Sequence, residues 1–134
     1  MANLLLIETA TDTCSIGLSS NGQLLALRES SDFRDHGRLI TRFIEECLGE
    51  AALAPADIDA VAVSTGPGSF TSLRIGLATA KGWCFATGKP LIAVSTLAAI
   101  AEGARTALGA PAATYYAPLL DARSMGVYLA VYGP

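Results

Sequence analysis

Two short segments carry the polar residues of this sequence that could act together. Glu8 ends an apolar run and Asp12 lies four residues further on, while Gly66, Gly68 and Ser69 belong to one glycine-rich turn. If both segments face one cleft, the free amides at the start of the following helix could bind an anion such as a phosphate. The alternative is a tight strand-to-helix turn. The physical argument favours it, because the spacing matches neither G-x-G-x-x-G nor the Walker pattern.

Histidine and cysteine are sparse and scattered. The one histidine is His36, and the three cysteines are Cys14, Cys47 and Cys84. Since a metal site needs clustered ligands, this spacing predicts no metal site. We interpret the cysteines as reduced, mostly buried thiols of a cytosolic protein. A nucleophile pair through His36 lacks a supporting motif, so a surface or helix-capping histidine is the preferred interpretation.

The composition is that of a globular domain. With 134 residues, of which 51% are hydrophobic and 16% charged, the chain can bury one core and is not disordered. A formal net charge of -3 and the lack of a Lys/Arg run argue against unaided binding of nucleic acid. No apolar stretch approaches the length of a membrane span, and no signal peptide precedes the first strand. These properties favour a cytoplasmic protein that does not bind membranes.

The elements that must position these residues follow from periodicity and turn signals. Apolar runs and alternation predict strands, and Asn21-Gly22 predicts a type I′ hairpin. Helical spacing predicts helices that end at Gly49, Gly88 and Gly109. The predicted strands span residues 3–8, 14–20, 23–29, 60–64 and 91–94, and the predicted helices span about residues 36–48, 70–87 and 97–108. The expected N-caps are Asp35, Ser69 or Thr71, and Ser95 or Thr96. The result is an α/β fold with a mixed five-stranded sheet, an antiparallel meander plus parallel strands, and helices on both faces.

The last residues repeat the pattern of the first. The segments LLDARSMGVYLAVYG and LIETATDTCSIGLSSNG both read as apolar strand, acid, short turn, alternating strand and glycine. This weak match suggests an internal duplication. We therefore expect a first lobe over residues 1–110. Residues 111–134 would be a linker and the first hairpin of a truncated second lobe, in an intact protein that is longer.

Several segments resemble known families. A strand-end acid, a turn rich in Thr and Ser, a glycine turn and the start of a second lobe resemble the actin-like ATPase superfamily, in which two ribonuclease-H-like lobes clasp a nucleotide. More specifically, GPGSFTSLRIG at residues 66–76 resembles the GPGSFTGLRIG signature of the TsaB (YeaZ) family, a glycoprotease-like group. The opening IETATDTCSIGL, the helix that begins DHGRL, and DARSMGVY at residues 121–128 resemble further segments of that family.

The TsaB resemblance implies a non-catalytic subunit. Proteins of that family pair with a larger relative, TsaD. Together with the ATPase TsaE they transfer a threonylcarbamoyl group to the adenosine beside the anticodon of certain tRNAs. The resemblance implies that this chain binds no cofactor alone, that the partner complex uses ATP, and that tRNA is contacted only through the complex. The rival hypothesis is an independent ATP-dependent phosphotransferase or hydrolase of the actin-like fold, and a third is a metallopeptidase-like enzyme.

Three positions depart from the family pattern. Glu8 stands where Asp is common, Ser72 replaces a glycine of the signature, and Gly126 stands where the second-lobe motif usually has Glu. The H-x-x-x-H metal motif of the TsaD relative is absent, because Ile40 lies four residues after His36. These departures argue against autonomous nucleotide chemistry, so the acids and the glycine turn would form a vestigial nucleotide or anion site.

We expect a TsaD-like partner to contact the helices of residues 36–48 and 70–87. The first has a broad apolar stripe, and the second carries Gly76, Ala80 and Cys84 on one line, where small residues let another helix approach. The resemblance points to the same helices, and this surface would also allow the isolated chain to form a homodimer. The alternative is that Gly76 and Ala80 pack only within their own lobe. The expected interface residues are Arg38, Arg42, Phe43, Leu73, Gly76, Leu77, Ala80 and Cys84, with Glu45 and Glu46 in a polar rim.

Overall fold

In the computed structural model, which describes residues 2–32 and 35–134, strands and helices alternate after an initial three-strand meander. The strands are β1 (Asn3–Glu8), β2 (Cys14–Ser20), β3 (Gln23–Ser30), β4 (Ala60–Gly66), β5 (Leu91–Ser95), β6 (Leu119–Asp121) and β7 (Val127–Leu129). The helices are α1 (His36–Ala51), α2 (Phe70–Thr87) and α3 (Thr96–Leu108), and a short 3-10 turn spans Pro55–Asp57. The predicted elements are confirmed, with ends that shift by a few residues.

The central sheet has the strand order β3-β2-β1-β4-β5. Strands β1, β2 and β3 pair antiparallel, and β4 and β5 extend the sheet in parallel. The turn between β2 and β3 has φ of 50° at Asn21 and 78° at Gly22, which is the pair of positive angles that a type I′ turn needs. The mixed five-stranded sheet and its hairpin are therefore confirmed.

Helices α1 and α2 share one apolar core on one face of this sheet. Alternate strand residues such as Leu5, Ile16 and Val61 point to this face and are fully buried. Helix α1 packs on β2 and β3, while α2 packs on β4 and β1. The two helices also contact each other. The residues that α1 buries are His36, Leu39, Ile40, Phe43, Ile44, Cys47 and Leu48.

The second face of the sheet is less covered than expected. Helix α3 packs against β4 and β5, and its buried Leu97 and Ala101 lie outside the core shared by α1 and α2. Leu24, Leu27 and Ile92 remain 56%, 41% and 42% exposed, although they belong to the strands. Among the described residues, helical cover beyond α1 and α2 is therefore limited to the β4–β5 edge, and the expectation of helices on both faces is met only there.

Helix α1 does not stop at Gly49. It continues to Ala51, and Ala52 takes the left-handed cap conformation with φ of 52°. The Leu53 amide then donates to the Leu48 backbone oxygen at 3.0 Å, which closes the helix end. The predicted stop at Gly49 is wrong because this closing hydrogen bond and the burial of Leu48 decide the end, rather than the position of the glycine.

The predicted N-caps are only partly confirmed. The Ser95 hydroxyl accepts a hydrogen bond from the Ala98 amide at 3.4 Å and so caps α3. Asp35 and Ser69 occupy the cap positions of α1 and α2, but neither side chain makes a capping hydrogen bond. The amides in the first turn of α2 are thus not satisfied by the side chain of the cap residue.

The acidic end of α1 is compensated from β3. Carboxylates near the end of a helix oppose its dipole. Arg28 of β3 lies against them and pairs with Glu46 at 3.0 Å and with Glu50 at 2.6 Å. Arg42 also pairs with Glu46, at 3.3 Å. The expected polar rim therefore includes a carboxylate, Glu46, that is already engaged within the lobe.

A second, smaller sheet follows the linker. Strands β6 and β7 pair antiparallel, and an isolated bridge joins Tyr116 and Tyr132. This two-stranded sheet is separate from the five-stranded one, and its role as the first hairpin of a second lobe stays a prediction. A lobe boundary at residue 110 stays a prediction. Among the helices of residues 2–32 and 35–134, none combines the length and apolarity needed to cross a membrane.

Candidate functional site

The turn between β1 and β2 lies directly on the first turn of α2. The backbone oxygen of Ala10 accepts a hydrogen bond from the Ser69 amide at 2.7 Å. One residue earlier, the buried Thr9 hydroxyl donates to the backbone oxygen of Ser72, also at 2.7 Å. Two hydrogen bonds therefore join the segment after β1 to the segment after β4, which are the two segments whose polar residues suggested a site.

Three glycines make this contact possible. A Cβ atom at residue 68 would overlap the backbone oxygen of Ala10, and a Cβ atom at Gly76 would overlap the Thr9 hydroxyl. Gly66 has φ of 119°, which residues with a side chain rarely adopt. In the structure these glycines serve a turn and a close approach, which is the structural alternative that the sequence favoured.

Ser72, the departure from the family signature, fits the same contact. It is buried, and its hydroxyl accepts a hydrogen bond from the Ser69 hydroxyl at 3.2 Å. Its backbone oxygen accepts the hydrogen bond from Thr9. A serine at this position therefore adds a hydrogen bond without disturbing the packing of the turn on α2.

Both carboxylate oxygens of Glu8 are engaged within the lobe. One accepts a hydrogen bond from the Ala10 amide at 2.7 Å, and the other accepts a short one from the hydroxyl of Ser64 on β4. Glu8 thus closes its own turn and ties β1 to β4. A carboxylate that holds two protein donors has less capacity left for a metal or a nucleotide.

A cleft of about 490 Å³ opens between the β1–β2 turn and the β6–β7 hairpin. This volume suits a small organic ligand. One wall consists of residues 10–12 and 68–71, and the other consists of residues 120–123 with Tyr128. Of the residues expected at a vestigial anion site, Asp12, Gly68 and Ser69 line the cleft, whereas Glu8 and Gly66 do not.

The charges of the cleft are mixed. Asp12 contributes a carboxylate from the lobe, and Asp121 and Arg123 contribute a carboxylate and a guanidinium from the hairpin. Asp121 also accepts a hydrogen bond from the Arg123 amide at 2.8 Å, which shapes the hairpin turn. The start of α2 favours an anion, but the two carboxylates oppose it. The geometry therefore does not select an anion over other small polar ligands.

His36 is buried, and the expectation of a surface or capping histidine is wrong. The residue is only 2% exposed, and its Nε2 lies 3.1 Å from the backbone oxygen of Asp12. Because a carbonyl oxygen can only accept, Nε2 carries the proton and donates. Among residues 2–32 and 35–134, the buried Nδ1 has no hydrogen-bond partner. The apolar stripe of α1, continued back to residue 36, is the signal that could have identified this burial.

The three cysteines are unpaired thiols, as predicted. Cys14 and Cys47 are buried and Cys84 is half-buried. Burial raises the pKa of the Cys14 thiol to about 11, and it also raises the pKa values of the Cys47 and Cys84 thiols. These thiols stay protonated at neutral pH and are poor nucleophiles. Among the described residues, no three His, Cys, Asp or Glu side chains come close enough to hold a metal ion.

The expected interface residues divide into two sets. Gly76, Ala80 and Phe43 are buried in their own lobe, Gly76 against Thr9 and the other two in the shared core. The prediction that a partner contacts these three residues is therefore corrected, because contacts within the lobe already bury them. Those that remain accessible are the exposed Arg38 and Arg42 and the half-buried Leu73, Leu77 and Cys84.

Two aromatic residues of α2 escaped the sequence reasoning. Phe70 is 73% exposed and Phe85 is 93% exposed, at opposite ends of the helix. The Arg74 guanidinium lies over the Phe70 ring, 5.3 Å from its centroid. Helical spacing places Phe85 about 140° from Ala80 around the helix axis, which could have shown that Phe85 faces outward.

Comparison with known proteins gives consistent results. A family model described as TsaD, tRNA N6-adenosine threonylcarbamoyltransferase, matches residues 28–133. An Escherichia coli K12 protein named tRNA threonylcarbamoyladenosine biosynthesis protein TsaB is 38% identical over 129 residues, which cover 96% of this chain and 54% of that protein. A Haemophilus influenzae protein of the same name is 37% identical over 101 residues, covering 75% and 42% of the two chains. The chain thus spans about half the length of the curated relatives it matches.

Solved structures show the same likeness. The structure described as YeaZ from Pseudomonas aeruginosa superposes with a TM-score of 0.90 at 34% sequence identity, covering all of this chain and 61% of that one. The RuvC protein of T. thermophilus, solved with a Holliday junction substrate, matches with a TM-score of 0.52 at 18% identity over 81% of this chain and 80% of that one. The second likeness concerns the fold alone.

Proposed function

The chain belongs to the TsaB (YeaZ) family, and from this premise we propose that it is a non-catalytic subunit in the synthesis of N6-threonylcarbamoyladenosine in tRNA. In this role it pairs with and activates a TsaD-like transferase that modifies the adenosine next to the anticodon. The observation that carries the proposal is the extent of the similarity to E. coli TsaB, at 38% identity over 96% of this chain.

The use of the signature residues supports a non-catalytic role. Gly68 and Gly76 accommodate the β1–β2 turn, and the Glu8 carboxylate is held by the Ala10 amide and the Ser64 hydroxyl. The Glu8 carboxylate is thus occupied by contacts within the lobe and the two glycines serve packing, while Asp12 and Ser69 still line the cleft. We therefore expect the chain to bind no cofactor alone, with ATP used by the partner complex.

The outer faces of α1 and α2 are the surface we propose for the TsaD-like partner. They offer the exposed cations Arg38 and Arg42 on α1 and the exposed aromatic rings Phe70 and Phe85 on α2. Aromatic residues and arginine dominate the energetics of protein interfaces. We call this set, together with the half-buried Leu73, Leu77 and Cys84, the outer helix surface. The same surface would serve a homodimer of the isolated chain.

The wider complex follows from the same proposal. A TsaE-like ATPase would join the pair, and tRNA would be contacted only through the assembled complex, in the cytoplasm. The formal net charge of -3 supports this order of contacts, because an acidic chain attracts the tRNA backbone weakly by itself.

The decisive experiment is reconstitution. The protein and the TsaD-like transferase of the same cell are purified separately, then mixed with a TsaE-like ATPase, tRNA, ATP and the activated threonylcarbamoyl donor. We expect co-elution of the pair and modified tRNA only when the chain is present. Modification at an equal rate without the chain would contradict the proposed role.

One observation favours the rival function of an autonomous ATP-dependent phosphotransferase or hydrolase. The cleft of about 490 Å³ has Asp12 on one wall and Asp121 on the other, and paired carboxylates can hold a magnesium-bound phosphate. Steady ATP turnover by the protein alone, abolished by Asp12→Asn, would establish this rival. We expect no turnover above the background of the Asp12→Asn variant.

A further inference from the structure

We propose that the β1–β2 turn, residues 9–13, links the outer helix surface to the cleft, and that His36 is the positioning residue that holds this turn to α1. The proposal rests on the proposed function, because it concerns what happens when a TsaD-like partner docks on α1 and α2. Within the described part of the chain, this turn has hydrogen bonds to α2 from Thr9 and Ala10 and to α1 from Asp12.

The link to α2 consists of two short hydrogen bonds. The Thr9 hydroxyl donates to the Ser72 backbone oxygen, and the Ser69 amide donates to the Ala10 backbone oxygen, each at 2.7 Å. Gly76 lets the Thr9 side chain sit against the helix without a Cβ atom between them. The start of the turn therefore moves with α2.

The link to α1 is a single hydrogen bond from a buried ring. The Nε2–H of His36 donates to the Asp12 backbone oxygen at 3.1 Å, while Nδ1 has no partner among the residues that the structure describes. At 2% exposure the ring is held by the surrounding core, so its direction is fixed by packing. The end of the turn therefore moves with α1.

The turn itself forms part of the cleft. Ala10, Thr11 and Asp12 line the wall that faces the hairpin. Because the two ends of the turn are attached to different helices, its shape depends on the relative position of α1 and α2. A partner that contacts both helices restricts their relative motion, and this restriction reaches the Asp12 side of the cleft.

Hydrogen exchange measured by mass spectrometry tests this link. Exchange of the peptide covering residues 9–13 is followed in the free protein and in the complex with the purified TsaD-like transferase. We expect binding to slow exchange in this turn by roughly fivefold or more, the lower range of coupling between two sites. In the free protein, His36→Phe should speed exchange of the turn by roughly two- to tenfold, which is the effect of losing one hydrogen bond.

Two further variants separate positioning from simple loss of structure. His36→Gln can still donate a hydrogen bond from Nε2. Exchange of residues 9–13 in this variant should therefore be slowed nearly as much as in the wild type, unlike in His36→Phe. Thr13→Ala is the matched control, because among the described residues the Thr13 hydroxyl makes its hydrogen bond with the exposed Ser31 hydroxyl, at 3.3 Å, and not with a helix. Partner binding should slow exchange of residues 9–13 in Thr13→Ala as much as in the wild type. If His36→Phe fails to fold, the comparison of the free and bound wild-type protein still tests whether binding slows exchange in the turn.

The outcomes are distinct. Binding that protects α1 and α2 but leaves exchange of residues 9–13 unchanged would overturn the inference alone. Slowing that is as large in a folded His36→Phe variant as in the wild type would also overturn the role of His36. Absence of any binding would overturn the proposed function, and this inference with it.

Discussion

The hydroxyl of Thr9 occupies the space where a side chain at Gly76 would begin. A Cβ atom at residue 76 would overlap Thr9 Oγ1, which donates a 2.7 Å hydrogen bond to the backbone of α2. This pair joins the first strand to the helix that carries the family signature, across 67 positions of sequence (76 minus 9). The glycine that ends the signature is therefore explained by a neighbour from the opening motif.

Replacing Gly76 by alanine should destabilise the protein by about 1–3 kcal/mol, because the added methyl group overpacks the contact with Thr9. Gly82→Ala is the matched control on the same helix, since nothing lies within 4 Å of a Cβ atom there. It should stabilise the protein by up to about 1 kcal/mol through helix propensity. Urea denaturation measures both changes.

The Thr9→Ala change in the Gly76→Ala background checks the cause of that loss. It removes the atom that the new methyl group overlaps, so the double variant should lose less stability than the two single changes add up to. Strict additivity of the two single changes would show that the overlap with Thr9 is not the reason.

The Glu8→Gln variant should lose about 1–2 kcal/mol of stability, because an amide group cannot accept hydrogen bonds from both the Ala10 amide and the Ser64 hydroxyl. Glu29→Gln is the control. Glu29 accepts a hydrogen bond from the Ser15 hydroxyl at 3.0 Å on the exposed surface, where its loss should change stability by less than about 0.5 kcal/mol. The tRNA-modification activity of the reconstituted complex, per folded molecule of this chain, should be unchanged in both the Glu8→Gln and the Glu29→Gln variant. A Glu8→Gln variant of normal stability but without activity would instead indicate a role in nucleotide chemistry.

Phe85→Ser should weaken binding of the TsaD-like transferase by about tenfold or more and leave stability nearly unchanged. Phe85 is 93% exposed on α2, so its ring contributes little to the core, and buried aromatic anchors dominate interfaces. Leu108 lies at the end of α3 and is 72% exposed, so Leu108→Ser is the matched control and should bind normally. Titration calorimetry measures both, and equal affinities would remove Phe85 from the interface.

Ala80→Arg should unfold or strongly destabilise the protein. Ala80 has no exposed surface and lies in the shared core, so an arginine there overpacks the core and buries a charge, at a cost of several kcal/mol. Thermal denaturation checks this. A folded Ala80→Arg variant that selectively loses partner binding would return Ala80 to the interface.

Stability should decline between pH 9 and pH 11 in a way that depends on Cys14. Burial raises the pKa of this thiol from 9.0 to about 11. The folded state thus holds the proton more tightly than the unfolded state. The protonated thiol therefore contributes about 2–3 kcal/mol to the free energy of unfolding. This contribution is fully present below pH 9 and is lost as the pH rises to about 11. Urea denaturation across this range should show a smaller decline for Cys14→Ala than for the wild type.

The Cys84→Ala variant serves as the comparison for Cys14. Its thiol is half-buried, and burial raises its pKa as well. Its removal should change the alkaline decline less than removal of Cys14 does. An identical pH profile for Cys14→Ala and the wild type would show that the Cys14 thiol ionises alike in the folded and unfolded states.

Local signals in the sequence were sufficient for the existence of the elements and for the β2–β3 hairpin. The Asn21-Gly22 pair, the strand ending at Glu8 and the helix ending at Gly88 all depend on neighbouring residues, because turn angles, strand alternation and helix caps are short-range properties. The family could also be identified from residues 66–76, because its signature motif is contiguous in the sequence. The prediction for the end of α1 was wrong, because a tertiary contact, the burial of Leu48, competed with the local signal of the glycine.

What only the tertiary structure decided is which side of each element meets which neighbour. The sequence placed Gly76 and Ala80 among small residues open to a partner, but the sheet turns that side of α2 inward, against Thr9 and the core. The sequence predicted a surface or helix-capping histidine at His36, but the packing of α1 buries the ring, and its Nε2 donates to the Asp12 backbone oxygen. Helical spacing shows which residues share a face. Which face is buried depends on contacts between residues far apart in sequence, and these form only when the helix is docked on the sheet.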